Sequence, residues 1–299
     1  FNTLNLMRPD QFPSFWNFAQ SYCDPWNDGF GWNFDGASNT KELNERTRDL
    51  CIRRLKSEVL PELPPKTRTF LPIHLPRDIR SPYDFAQEEW DRKIDDYYLN
   101  GEPLPKGIML NMLNDLRHMC GNIKVIYAAE WIKEYHQQTG KPIVVFTHHR
   151  DVLKRLVEKL KKVGNVQTIS GDTNSKKRQE IVDDFQAGHI DVLVCNTIAA
   201  KEGITLTAAD TVLFIEREWV PTAEEQAEDR IYRIGQESQH VHAVYLSCAG
   251  TIDEHFDRVV EQKRAVVKAV LDGGDIEQRQ GLVSELVKKL KEERGWRIK

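Results

Sequence analysis

The chain has 299 residues, enough for two domains of roughly 100–200 residues each, and its 40% hydrophobic and 29% charged residues are typical of a globular protein. A formal net charge of −4 excludes a protein drawn to nucleic acid by its overall charge, although local basic patches stay possible. No apolar run approaches the roughly 20 residues that span a bilayer, which excludes a membrane-spanning protein and a membrane partner.

The five cysteines are odd in number and contain no C-x-x-C pair. This spacing argues against both a disulfide scaffold and a zinc ribbon, so we expect a reducing compartment and no metal site. The first residue is Phe1, without an initiating Met or a signal sequence, so we expect a piece of a longer protein.

The predicted elements begin with an aromatic-rich, mainly helical segment over residues 1–80, in which 67–75 reads as a strand. A second helical segment covers 81–120. Short apolar strands then alternate with helices, and the predicted strands are 143–146, 166–169, 192–195, 211–215 and 241–246. Such alternation predicts crossover units and an α/β fold, with a parallel sheet and helices on both faces.

Polar residues follow these strands, and the carboxyl ends of parallel strands meet at one edge of a sheet. Their backbone N–H groups and small side chains suit phosphate groups of a nucleotide or a nucleic-acid backbone. The residues in question are Thr147, His148, Gly171, Asp172, Asn196, Thr197 and Trp219.

The segment Gln226–Gln236 reads QAEDRIYRIGQ, within a predicted helix over 221–234 that Gly235 ends. The spacing places Gln226, Arg230 and Arg233 on one face, where two guanidiniums could bind a phosphate chain. A neighbouring apolar face would pack on the sheet, through Ala223, Ala227, Ile231 and Ile234. Spacing alone favours a simpler interpretation, a solvated helix in which Asp229 pairs with Arg233.

The same segment resembles the sixth helicase motif of the Swi/Snf (sucrose-nonfermenting) helicase-like ATPases. Further blocks resemble that family in order and spacing, over nearly the whole chain: 144–147, 170–173, 196–206 with Ala209-Asp210, 219–221, 52–56 and 63–66. The run Ile198–Leu206 lacks the glycine pair usual in the family, and its A-A-x-x-G-x-T pattern is closer to the HARP-like annealing-helicase branch.

The resemblance implies a RecA-like fold and four regions. These are a connection between lobes (1–80), a helical protrusion-like insert (81–120), the second RecA-like lobe (121–273) and a helical tail (274–299). The sequence contains no G-x-x-x-x-G-K-S/T loop and no D-E-A-H acidic pair after a strand. In the family these belong to a first lobe, so we expect that lobe to precede Phe1 and this chain alone not to hydrolyse ATP.

The implied function is the C-terminal half of a DNA-dependent ATPase and double-stranded-DNA translocase or remodeller, with a role such as DNA repair. ATP with Mg would be held mainly by the first lobe, while Arg230 and Arg233 act as arginine fingers and Gln226 orients them. The resemblance assigns nucleotide contacts to Glu202, Gly203, Asp210 and Gln236. It assigns the strand-end residues to the phosphates of double-stranded or forked DNA, and Arg53 and Arg54 to coupling between lobes.

Two other functions stay open. One is a non-catalytic nucleic-acid-binding or regulatory module, against which the intact arginines argue. The other is a helicase subunit of a restriction or nuclease system. We expect a nuclear location if the source is eukaryotic, and a cytoplasmic or nucleoid location if it is bacterial or viral.

Overall fold

The computed structural model describes residues 1–27, 32–102, 105, 107–197 and 203–273. The chain forms two compact units, Phe1–Leu55 with Arg258–Lys299, and Lys56–Asp257. In the described part, no helix combines the length and the apolar character that crossing a membrane requires.

The smaller unit has a small core of aromatic and aliphatic side chains. Its elements are α1 (Asn2–Met7), α2 (Phe15–Tyr22), β1 (Trp26–Asn27), β2 (Trp32–Asn33) and α3 (Thr40–Thr47). Phe12, Tyr22 and Leu43 are buried together, and the amide of Asn44 donates to the carbonyl of Val270 at 2.7 Å. This hydrogen bond and the shared core join the first 55 residues to the end of the chain's last described helix.

The larger unit contains a six-stranded sheet. Its strands are β3 (Lys66–Ile73), β4 (Ile143–Thr147), β5 (Val166–Ile169), β6 (Val192–Asn196), β7 (Thr211–Phe214) and β8 (Val241–Cys248). The order is β3-β8-β7-β4-β6-β5, and every neighbouring pair is parallel. All residues of β4, β6 and β7 are buried, as expected for parallel strands covered on both faces.

Helices cover both faces of this sheet. The helices of the larger unit are α4 (Lys56–Val59), α5 (Arg77–Leu99), α6 (Ile108–Thr139), α7 (Arg150–Leu160), α8 (Ser175–Gln186) and α9 (Pro221–Glu228), and α10 (Ile252–Asp272) begins in this unit. Val145 of β4 lies in the core formed with α6 and α7, whereas Phe146 lies in the core formed with α8 and α9. Successive side chains of a strand point to opposite faces, so β4 contributes to both cores. The predicted α/β fold with helices on both faces is confirmed.

Strand β3 lies at one edge of the sheet and comes from the sequence before residue 140, whereas the other five strands follow that residue. Lys66 of β3 is in register with Val241 of β8, and the pairing continues to Ile73. Residues from the expected lobe connection thus form part of the sheet. The four regions named from the sequence stay predictions; α6 runs without interruption through residue 120, and the tail 274–299 lies outside the described residues.

Candidate functional site

The segment that carries both candidate finger arginines, residues 229–236, is not helical. Helix α9 ends at Glu228, so the prediction of a helix to Ile234 was wrong. Tight turns follow, in which the N–H of Arg230 donates to the carbonyl of Ala227 at 3.1 Å. Gln226 is exposed on the helix itself, and the two arginines lie beyond its end. We call residues 229–236 the arginine segment.

Arg230 and Arg233 lie close enough for their charges to repel. Burial lowers the pKa of Arg230 below its ordinary value, and the charge of Arg233 lowers it further. Arg233 is half-buried; its Nε donates to the carbonyl of Asp229 at 2.9 Å and an Nη to the Thr205 hydroxyl at 3.2 Å. Both of these acceptors are neutral. The Asp229 carboxylate contacts Lys56 at 2.8 Å and does not form the alternative ion pair with Arg233.

The loop before β7 holds the arginine segment from one side. The N–H of Leu206 donates to the carbonyl of Arg230 at 2.8 Å, and the amide of Gln236 donates to the carbonyl of Ala209 at 2.8 Å. The predicted nucleotide residue Gln236 thus has its amide engaged within the protein. Gly203 is exposed, with open space where a Cβ would lie, and Glu202 lies outside the described residues.

Asp210, the remaining predicted nucleotide residue, has a structural position instead. Its carboxylate accepts hydrogen bonds from Lys141 at 2.5 Å, Tyr135 at 2.9 Å and Thr211 at 2.8 Å. Burial alone would raise the pKa of Asp210, but these hydrogen bonds, that from Lys141 first, hold it below its ordinary value. The carboxylate therefore ties the end of α6 to the start of β7, and the nucleotide contact of Asp210 stays a prediction.

The arginine segment and the strand-end residues lie at opposite edges of the sheet. Helix α9 follows β7 at the carboxyl edge and returns antiparallel to the strands. The arginine segment then contacts Ala209 and Leu206, just before β7 begins. The structure thus brings the finger candidates together with each other, and separately groups the strand-end candidates.

Three of the strand-end candidates have buried side chains at the carboxyl edge of the sheet. Thr147 is 0% exposed, Thr197 1% and Asn196 7%. The N–H of Thr197 donates to the carbonyl of Thr147 at 2.9 Å, and the Asn196 amide donates to the carbonyl of His148 at 2.6 Å. The shared edge is confirmed, but these three side chains are buried and are not presented to solvent. Gly171 and Asp172 are exposed, and His148 is partly exposed.

The carboxylate of Glu216, which the sequence did not indicate, accepts hydrogen bonds from the backbone N–H groups after β4. Glu216 Oε2 accepts from the N–H groups of His148 and His149, both at 2.9 Å, and its Oε1 lies 2.5 Å from His149 Nδ1. Burial alone would raise the pKa of Glu216, but the bond with His149 holds it below the ordinary value. These N–H groups are therefore not free for phosphate, which corrects the sequence-based expectation.

Trp219 packs in a cluster of aromatic rings and cations. Its ring meets that of Phe256 edge-on, with centroids 4.5 Å apart. The Arg117 guanidinium lies 3.7 Å from the Phe256 centroid and donates to the carbonyl of Arg217 at 2.6 Å. Arg217 in turn forms a two-point ion pair with buried Glu224, at 3.0 and 2.7 Å. These contacts give Trp219 a packing role in shaping the carboxyl edge.

The two candidates for coupling between lobes lie in the smaller unit. Arg53 Nε is 3.0 Å from a carboxylate oxygen of Asp272, and Arg54 is exposed. The structure therefore engages Arg53 with the end of α10 and leaves the Arg54 side chain at the surface.

One buried cluster has metal-ligand chemistry. The ligand atoms of Cys120, Cys248 and Asp253 lie within 4.8 Å of one another. The ammonium of Lys124 lies 2.7 Å from Asp253, and this carboxylate raises the Lys124 pKa against the opposing effect of burial. The donor set is thus already neutralised by a cation, so the residues do not fit a metal ion.

Comparison with known proteins agrees with this architecture. Residues 124–235 match the family described as helicase conserved C-terminal domain. The DNA annealing helicase and endonuclease ZRANB3 of Bos taurus is 32% identical over 281 residues, which cover 91% of this chain and 26% of the relative. The SWI/SNF-related matrix-associated actin-dependent regulator of chromatin subfamily A-like protein 1 of Xenopus tropicalis is 32% identical over 89% of this chain and 28% of the relative. The chain thus spans about a quarter of the length of these relatives.

Two solved structures share the fold. The Sulfolobus solfataricus SWI2/SNF2 ATPase core in complex with dsDNA aligns with a TM-score of 0.60 and 23% identity, covering 95% of this chain and 60% of that one. The C-terminal domain of the Sulfolobus solfataricus SWI2/SNF2 ATPase aligns with a TM-score of 0.56 and 21% identity, covering 76% and 96%. The fold and its motifs therefore define a RecA-like C-terminal lobe of a helicase. Within that class, the chain belongs to the Swi/Snf helicase-like ATPases, on the annealing-helicase branch.

Proposed function

We propose that this chain is the C-terminal half of an ATP-dependent double-stranded-DNA translocase or remodeller. It would supply Arg230 and Arg233 to ATP held with Mg mainly by a first lobe, and would not hydrolyse ATP alone. The observation that carries the proposal is that Arg233 is held by two neutral oxygens, of Asp229 and Thr205, beside a second arginine.

Two adjacent guanidiniums repel each other, and an arriving anion relieves that repulsion. The charge that develops on a transferring γ-phosphoryl group is such an anion, and an arginine finger accelerates its transfer by about 10³–10⁵-fold in well-studied NTPases. Neither of these two acceptors of Arg233 is a carboxylate, so the two hydrogen bonds do not balance its positive charge. Gly203 would admit the nucleotide close to the backbone, since nothing described lies within 4 Å of its Cβ position.

The DNA contacts are proposed for the exposed groups of the carboxyl edge. Gly171 and Asp172 present backbone N–H groups there, and Arg150 at the start of α7 lies 3.0 Å from Asp172. Arg150 is 65% exposed, so it could exchange this weak surface pair for a phosphate of double-stranded or forked DNA. The relatives with DNA annealing and chromatin-regulator names support a DNA partner, and a nuclear location if the source is eukaryotic.

The test is Arg233→Ala in the full-length protein. DNA-stimulated ATP hydrolysis should fall to background, because the transition-state charge loses its partner, while duplex DNA should bind with unchanged affinity. Arg150→Ala is the matched variant at the other edge of the sheet, and it should weaken DNA binding while leaving hydrolysis at saturating DNA intact. Unchanged turnover in Arg233→Ala would refute the arginine-finger role, whereas full-length protein that binds DNA but hydrolyses no ATP would favour the non-catalytic binding module.

A further inference from the structure

The two residues directly before Arg230 carry carboxylates. Cationic side chains from the start of the larger unit's sequence form ion pairs with both of them. We call Lys56, Lys66 and Arg68 the basic clamp. Lys56 opens α4, while Lys66 and Arg68 belong to the edge strand β3. The side-chain contacts of the clamp add to the backbone hydrogen bonds that hold the turns of the arginine segment.

The clamp holds Glu228, the last residue of α9, in a buried site. Glu228 is 0% exposed, and Lys66 Nζ lies 2.6 Å from its Oε2. Arg68 donates to both carboxylate oxygens, at 2.6 and 2.8 Å, and the Tyr245 hydroxyl donates at 2.6 Å. The end of α9 is thus fixed to strands β3 and β8.

The clamp also holds Asp229 and Tyr232, on either side of Arg230. Lys56 Nζ lies 2.8 Å from Asp229 Oδ2 and donates to the carbonyl of Tyr232 at 2.9 Å. Lys66 Nζ lies 3.6 Å from the other oxygen of Asp229. One ammonium group, that of Lys56, therefore bridges two points of the arginine segment.

This bridge determines which cation neutralises Asp229. Asp229 and Arg233 are four residues apart, and the Arg233 Nε already donates to the Asp229 carbonyl. Without Lys56, the Asp229 carboxylate would be the nearest anion on the segment available to the Arg233 guanidinium. The Lys56–Asp229 pair thus leaves the positive charge of Arg233 available to a different anion.

We propose that Lys56 is a positioning residue for the arginine pair, acting by holding Asp229 away from Arg233. This inference rests on the proposed function, because its consequence is measured as ATP hydrolysis. It assigns a role in hydrolysis to a residue whose side chain contacts the arginine segment from far away in the sequence.

The experiment uses Lys56→Met in the full-length protein, with ATP and duplex DNA at saturation. We expect kcat to fall about 10- to 100-fold, with KM for ATP and affinity for DNA unchanged, because misplaced catalytic groups lose rate rather than binding. Lys56→Arg, which keeps the cation, should restore most of the rate. Lys161→Met is the matched control, since Lys161 is exposed, directly follows α7 and, among the described residues, forms an ion pair only with Glu158 of that helix.

The double variant Lys56→Met with Asp229→Asn separates positioning from a merely structural role. If the Asp229 carboxylate neutralises Arg233 once Lys56 is gone, removing its charge should recover a large part of kcat. A structural role predicts no recovery, because the double variant also lacks the Lys56–Asp229 pair. Thermal unfolding of each variant establishes that the fold is retained.

Arg233→Ala in the same assay distinguishes the two possible failures. Normal hydrolysis by Arg233→Ala would overturn the proposed function itself. An inactive Arg233→Ala together with a fully active Lys56→Met, or a double variant no faster than Lys56→Met, would overturn only the positioning role.

Discussion

The Glu228 carboxylate accepts a hydrogen bond from each of two nitrogens of the Arg68 guanidinium, so that α9 is joined to the edge strand β3 by a buried two-point ion pair. Glu228 has no exposed surface, and Lys66 contacts the same carboxylate. Such two-point pairs fix geometry as well as charge. The pair therefore anchors the end of the helix from which the arginine segment emerges.

Glu228→Gln should destabilise the chain by about 3–5 kcal/mol, because it leaves two half-buried cations without their counter-charge. Urea-induced unfolding monitored by circular dichroism measures this loss. Glu225→Gln is the matched control, since Glu225 is 40% exposed and 3.7 Å from Arg68. It should cost less than about 1 kcal/mol. Equal losses in the two variants would contradict the assigned importance of the buried pair.

The same carboxylate predicts how stability depends on pH. Burial alone would raise the Glu228 pKa, but Arg68 and Lys66 lower it from 4.5 to about 2. A group with a lowered pKa in the folded state stabilises fully above its unfolded pKa, and this contribution is lost as the pH falls through the folded pKa. The stability gap between wild type and Glu228→Gln should therefore narrow between about pH 5 and 2, by about 3 kcal/mol. A gap that stays constant over this range would contradict the lowered pKa.

Gly203→Ala tests the approach of a nucleotide to the backbone. The described surroundings leave open space at the Cβ position, and the residue does not have the left-handed backbone that favours glycine. Folding stability should therefore stay the same or rise by up to about 1 kcal/mol. In the full-length protein, KM for ATP should rise if the nucleotide lies against this backbone.

The control for Gly203→Ala is Gly140→Ala. Gly140 has a φ of +63° after α6, so an added Cβ strains the backbone and should lower the melting temperature without changing KM. An unchanged KM for ATP in Gly203→Ala would show that the nucleotide does not lie against the backbone of Gly203.

The sheet could be predicted from the sequence because its central strands are short apolar runs bounded by polar residues. The strand 192–195, for example, is observed as Val192–Asn196, with every residue buried. Local composition suffices where both faces of a strand are covered by helices. The parallel direction of the strands likewise follows from crossover connections, and it places the predicted loops at one edge.

The end of α9 could not be predicted, because contacts distant in sequence override the local period. The spacing of Ala227, Ile231 and Ile234 continues a helical pattern, yet Ile234 is 71% exposed. The carbonyls of Arg230 and Tyr232 accept instead from the Leu206 N–H and the Lys56 ammonium. Propensity is a weak guide where tertiary hydrogen bonds offer the backbone other partners.

The role of Glu216 was likewise invisible in the sequence. Its carboxylate binds N–H groups 67 and 68 residues away, after a different strand. Parallel strands place both loops at one edge, but local sequence patterns do not show that a side chain of one loop accepts hydrogen bonds from the N–H groups of the other.

The cysteines should differ strongly in reactivity toward an aromatic disulfide reagent. Cys51 is exposed and Cys23 partly so, whereas Cys120, Cys195 and Cys248 are buried. Burial also raises the Cys195 pKa to about 12, which suppresses the reactive thiolate at neutral pH. We expect one fast reaction, one slower reaction and three that require denaturant. Cys51→Ser should abolish the fast phase, and a fast phase that survives this change would contradict the exposure pattern.

The ion pair of His148 with Glu218 should give this imidazole an elevated pKa. Glu218 accepts from His148 Nδ1 at 2.9 Å, and this hydrogen bond raises the His148 pKa above 6.5 against the opposing effect of burial. A raised pKa in the folded state means that the pair stabilises fully below the unfolded pKa and less as the pH rises through the folded value. NMR titration of the His148 ring protons should therefore shift to lower pH in Glu218→Gln. The stability lost in that variant should be larger at pH 6 than at pH 8.5. Glu237→Gln, an exposed substitution in the loop before β8, serves as the control and should leave the titration unchanged. A His148 titration that Glu218→Gln does not move would show that the carboxylate does not stabilise the imidazolium.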